Sequence, residues 1–161
     1  MAGHLVAVEF RHASWFEGRH ADETLAFQRE LGVVHTIVDA PQGFANTVPM
    51  VWAVTRPELA IVRLHGRNRG TWNIRGATSA SDRFNYLYTD EELAGFVPPL
   101  RALGRQAQTV HVIFNNNMED QAVVGGGKLM AMLGPLTDGH NSNTADIGDH
   151  PTLPFNPGID N

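Results

Sequence analysis

Residues 59–68 read LAIVRLHGRN, and this stretch constrains the fold more than any other. Leu59 to Leu64 is apolar except for Arg63, and it is short, which is the pattern of a strand buried in a parallel sheet. Arg63, His65 and Arg67 then recur at every second position. A strand sends alternate side chains to the same side, so Arg63 and His65 share a face at its carboxyl end. Gly66 lets the backbone turn sharply there, and Arg67 with Asn68 opens a loop. Ligands bind at the carboxyl ends of strands in parallel α/β sheets, so a site is predicted at this point.

Other apolar runs supply neighbours for that strand. Residues 5–10 are predicted as a first strand, whose apolar character suits a central place, and residues 33–39 as a second, rich in β-branched side chains. Residues 109–114 form the last. Between them, Asp22 can cap a helix running to Leu31, where Gly32 supplies the stop. Thr89-Asp90-Glu91-Glu92 is a capping box that opens another helix. Pro98-Pro99 predicts a break near Val97, because an interior proline costs about 3 kcal/mol. Gly125-Gly126-Gly127 predicts weakness or a kink in a third helix over 120–133. The long connection from 41 to 57 has the length of a segment that covers something or carries function. The sum is an α/β protein with a parallel sheet of about four strands over residues 1–134, then an irregular Gly-, Pro- and Asn-rich tail over 135–161.

Parity places a polar group at the end of each strand: Glu9 with Arg11, Asp39 with His35 and Ile37, Arg63 with His65, and Asn115 with His111 and Ile113. Parallel strands align these ends, so Glu9, Arg11, Asp39, Arg63, His65 and Asn115 are expected to converge on one cleft. The same groups could instead only neutralise one another, since buried charges need partners. Trp15, Trp52 and Trp72 all fall in loops, either at a pocket mouth or over the sheet end.

Several chemistries are excluded or disfavoured. The chain has no cysteine, which removes disulfides and thiol catalysis. A net charge of −5 argues against a general nucleic-acid surface. The histidines form no His-x-x-x-His or His-Glu-x-x-His motif, so no metal and no cofactor is expected, although Glu9, Asp39 and His65 could in principle assemble a site from separate strands. Gly125-Gly126-Gly127-Lys128 lacks the Ser/Thr that follows lysine in a phosphate loop. No apolar run approaches the ~18 residues of a membrane span, and the first residues carry no basic leader. A cytoplasmic protein without a membrane partner is expected.

Taken together, Val8-Glu9-Phe10-Arg11-His12, Ser14-Trp15-Phe16, Arg63-Leu64-His65-Gly66-Arg67, Tyr86 to Leu93 and Phe114-Asn115-Asn116 resemble the YecE-like family, in that order. The resemblance spans residues 5–134. It implies a TIM (β/α)8-barrel domain of unknown function, of which this chain resembles only the second half. Pro98-Pro99 and the glycine triplet depart from the family pattern.

Two functional expectations follow. In one, the chain is a hydrolase or lyase of a phosphate-bearing substrate. Arg11, Arg63 and Arg67 would hold the anion, since guanidinium pairs with phosphate bidentately. His65 would act as general acid or base, Glu9 would orient it, and Asp39, Asn115 and Asn116 would complete the binding set. In the other, the same residues form a non-catalytic module for a sugar phosphate, a nucleotide or a nucleic-acid backbone. An inert, truncated copy is the third reading. Four parallel strands also leave two open edges, at 5–10 and 109–114, and an inward face lined by Leu5, Ala7, Ile37, Ile61 and Ile113. This predicts a homodimer, unless residues 41–57 or the tail cover the open face.

Overall fold

The apolar runs become strands because each can be buried on both faces only between parallel neighbours and a helix layer. The computed structural model describes residues 3–74 and 80–135. The predicted tail, beyond residue 135, lies outside them. The elements are β1 (Ala7–Val8), α1 (His20–Leu31), β2 (Val34–Asp39), β3 (Ala60–Leu64), α2 (Asp90–Gly104), β4 (Val110–Phe114) and α3 (Gln121–Leu133), with short 3-10 turns at Ala13–Phe16 and Ala80–Phe84. The four strands are parallel and lie in the order β1-β2-β3-β4. This is an α/β sheet with the sequential strand order found in (β/α)8 barrels. No helix among the described residues is long and apolar enough to cross a membrane.

Register sorts the two faces. Asp39 lies beside Leu64, and Leu64 beside Phe114. That face carries the main core, where Ile37, Val62 and Leu64 pack with Leu93, Phe96, Leu100 and Leu103 of α2 and Leu129 of α3. Val38, Arg63 and Ile113 are neighbours on the opposite face. Ile37, expected to line that opposite face, is instead fully buried under the helices.

Four expectations about elements change. The first strand is only two residues long and sits at an edge rather than at the centre. Asp22 does not cap α1: Arg19 holds that position without a side-chain bond, and Asp22 lies in the first turn, where the helix dipole favours an acid. Gly32 does end α1, at φ 66°. Helix α2 runs unbroken through Pro98 and Pro99. The carbonyls that lose their amide partners belong to Ala94 and Gly95, both exposed, so water can satisfy them, while Leu93, Phe96, Leu100 and Leu103 hold the opposite side in the core. Helix α3 is likewise continuous through its glycines. An added Cβ at Gly125 would stand 2.8 Å from the Phe114 ring, so this glycine lets α3 lie close on β4.

The connection between β2 and β3 contains no helix. Met50, Trp52 and Val54 fill the place a helix would take, with Trp52 6.5 Å from Phe96 between ring centroids. Thr55 repairs the strand edge there. Its hydroxyl donates to the Val33 carbonyl and accepts from the His35 amide, both at 2.8 Å.

Candidate functional site

Two polar clusters form at the carboxyl ends of the strands, one on each face of the sheet. Glu9 just beyond β1, Arg63 at the end of β3, His65 beyond it and Asn115 beyond β4 build the first. Arg63 donates from Nη1 to Glu9 Oε2 at 2.5 Å and from Nη2 to Asn115 Oδ1 at 3.0 Å. Asn115 Nδ2 lies 2.9 Å from His65 Nδ1, and His65 Nε2 lies 3.3 Å from Glu9 Oε1. The four side chains thus close a ring.

Donor and acceptor logic runs one way round that ring. Arg63 can only donate, so Asn115 must turn its oxygen to it and its amino group to His65. His65 Nδ1 therefore accepts, and the imidazole hydrogen sits on Nε2, facing the Glu9 carboxylate. Burial alone would raise the Glu9 pKa; the hydrogen bonds from His65 and Arg63 and the Arg63 charge prevail and bring it down to about 2. Arg11 adds a second guanidinium, donating to Glu9 Oε1 at 2.7 Å with its side chain 54% exposed. Two guanidiniums meet one carboxylate here. Above them, His65 is 1% exposed and is covered by Phe84 and Trp72, with ring centroids 5.5 and 6.3 Å away.

Asp39 and Arg67 were expected in this cleft and are not in it. Because Asp39 falls in register with Leu64, its carboxylate points to the helix-covered face and builds the second cluster. Arg67 donates to it from Nε and Nη2 at 2.8–3.0 Å and from Nη1 to Glu92 at 3.0 Å. Tyr88 donates to Asp39 at 2.7 Å and accepts from the Gly66 amide at 2.8 Å. Burial first, then the Asp39 charge, pushes the Tyr88 phenol far up. Tyr86 donates to Glu92 at 2.7 Å, and burial with that contact pushes it up to about 12. Two carboxylates here meet one guanidinium whose three nitrogens are all engaged. A cavity of about 500 Å³ opens beside it, bordered by Asp39, Met50, Arg67 and Arg69. Asn116 faces neither cluster: it is fully buried and donates to the Tyr86 carbonyl at 2.8 Å.

Sequence reasoning missed Phe84, Tyr86, Tyr88 and Glu92, and placed Trp72 at a pocket mouth or over the sheet end. The Thr89 capping box was the available signal. It fixes Glu92 at the third helical position, where one oxygen accepts from the Thr89 amide and the other takes Arg67 and Tyr86. The three tryptophans separate: Trp52 is in the main core, Trp72 covers His65, and Trp15 is half-exposed. Among the described residues no three of His, Asp and Glu group as ligands for a metal. The assembly of Glu9, Asp39 and His65 is ruled out by the placement of Asp39.

Relatives share this architecture. A curated protein of Bacillus subtilis (strain 168), the UPF0759 protein YunF, is 34% identical over 129 residues, which is 79% of this chain and 46% of that protein. A DUF72 family protein of Enterococcus faecalis V583 superposes with a TM-score of 0.76 at 32% identity, over 82% of this chain and 48% of its own. One from Thermotoga maritima MSB8 superposes at 0.70, also at 32% identity, over 81% and 46%. The chain therefore spans about half the length of the relatives it matches. The family model for DUF72, a protein family of unknown function, matches residues 1–146, and the chain belongs to that family.

Proposed function

We propose that this chain is a YecE-like member corresponding to the second half of a (β/α)8 barrel, and that the ring on the sheet face opposite α2 and α3 binds a small phosphate-bearing anion. The observation that carries this is the charge of the ring: Arg11 and Arg63 converge on the single carboxylate of Glu9 at the carboxyl ends of parallel strands. Arg11, half-exposed, meets the anion. Arg63, Asn115 and His65 hold the ring in place beneath it. Asp39 and Arg67 support the strand ends from the other face, Asn116 holds the Tyr86 carbonyl, and the anion is left to Arg11 and Arg63, because the carboxylates around Arg67 would repel it. Small anions fit better than a nucleic-acid backbone, given the net charge of −5.

A catalytic reading, as hydrolase or lyase, is favoured by one contact. Glu9 Oε1 takes bonds from both Arg11 and His65, so a base and a proton donor touch beside the guanidiniums. In that reading the Glu9 carboxylate, the more exposed of the two, faces the substrate, and His65 orients it through the Nε2 hydrogen bond.

Phosphate titration tests the site. A ligand that binds only the native state adds about 2.7 kcal/mol of stability at a hundredfold excess over Kd. Phosphate should raise Tm, and Arg11→Ala should abolish the rise while leaving the unliganded Tm in place, since exposed substitutions cost about 0.5 kcal/mol or less. A Tm unmoved by phosphate, sulfate or nucleotides through millimolar concentrations would sink the reading.

A further inference from the structure

Exposed apolar surface on the strands and α-helices is confined to the two flanks. Val6 leads into β1, Phe27 and Leu31 lie on α1, Ile113 on β4, and Val123 and Met130 on α3. Val123 is 78% exposed, Met130 73% and Phe27 47%. Among the described residues, β2, β3 and α2 expose no large apolar side chain. The outer edges of β1 and β4 have no strand beside them among the described residues. Both layers of the fold, sheet and helix, are thus unfinished at the same two places. Relatives about twice as long superpose over the matched part at TM-scores of 0.76 and 0.70, with a comparable length of chain outside the match.

We infer that a second copy of this chain joins both flanks, so that two four-stranded sheets close one eight-stranded barrel and their arginine–glutamate rings face each other across a shared mouth. A two-fold axis parallel to the strands keeps all eight parallel. It sets β4 of each copy beside β1 of the other, and α3 beside α1, twice over. Eight strands close a barrel whose interior side chains can fill. The ring, already covered at His65 by Trp72 and Phe84, then lines a closed mouth. This last point rests on the anion reading above; the assembly itself does not.

The chain has no cysteine, which makes cross-linking clean. Light scattering of the full chain at micromolar concentration, without added anion, should give twice 17.6 kDa. A short bismaleimide should link Phe27→Cys chains to Val123→Cys chains when the two are mixed, and should not link Phe27→Cys chains to one another. Val123→Asp should halve the mass with unchanged far-UV circular dichroism. A wild-type monomer, or efficient linking of Phe27→Cys to itself, overturns the assembly. Phosphate binding should weaken at least tenfold in the Val123→Asp monomer, although Val123 lies outside the ring. Equal binding by both forms overturns the shared mouth. If phosphate binds neither form, the anion reading falls while the mass and the cross-links still decide the assembly.

Discussion

His65 has both ring nitrogens committed before any ligand arrives, Nδ1 by Asn115 and Nε2 by Glu9. Proton coupling to stability is carried by His35, whose Nε2 meets the Val51 carbonyl at 3.1 Å. Burial pushes that imidazole down to about 4 from its ordinary 6.5, with only the Val51 carbonyl opposing. Between these values the unfolded chain binds the proton and the native protein does not, so stability falls as pH drops from 6.5 to 4. Each tenfold difference in proton affinity between the two states is about 1.4 kcal/mol, which makes the full loss about 3 kcal/mol. Glu9 gives a second, lower step: its ordinary 4.5 is reduced to about 2, so its contribution is present above 4.5 and lost as pH falls toward 2. His35→Gln keeps a donor for Val51 and should flatten the upper step alone. Urea unfolding at pH 7 and pH 4.5 reads this; a variant that loses as much stability as the wild type would assign the step to another group.

At the level of the elements, the three adjacent glycines of α3 are not equivalent. Gly127→Ala meets nothing within 4 Å and should stabilise by about 1 kcal/mol through helix propensity. Gly125→Ala gains the same propensity but drives a methyl into the Phe114 ring, itself packed edge-on to Tyr88. Overpacking of that kind costs about 1–3 kcal/mol, so the net effect should be destabilising. Thermal unfolding of the two variants should shift in opposite directions, and a shared direction would remove the packing explanation. These glycines also show what the sequence could and could not tell. The helix over 120–133 was legible; its continuity depended on the Phe114 ring, which belongs to a different element and touches α3 only once the sheet is built. The Pro98-Pro99 break failed for a similar reason, since exposure of the Ala94 and Gly95 carbonyls is decided by which side of α2 the core takes. Alternation placed Glu9, Arg63, His65 and Asn115 together because each parity is local to its own strand. It failed for Asp39 because the offset between β2 and β3 is a property of the pair, and neither strand alone encodes it. Gly66 was legible as a turn, and its φ of 85° bears that out.

Across the whole molecule, the ring of Glu9, Arg63, His65 and Asn115 ties together the ends of β1, β3 and β4 through bonds between residues 50 to 56 positions apart in the chain. Loop closure must be complete before any of its bonds can form. Helices α1 and α2 and the β2–β3 pairing need no such completeness. The order of events in folding follows from this. The ring, which joins β1 to β3 and β3 to β4, is expected to close after the rate-limiting step, as a latch set on a sheet already assembled. Asn115→Ala should then leave the refolding rate nearly unchanged and accelerate unfolding by the whole of the lost stability, giving a φ-value near zero. Stopped-flow chevrons would show only the unfolding arm displaced; a matching displacement of the refolding arm would place the ring in the folding nucleus instead. The ring's contribution is in that case to the lifetime of the native state, so the same side chains that gather charge at the mouth of the sheet also govern how seldom it opens.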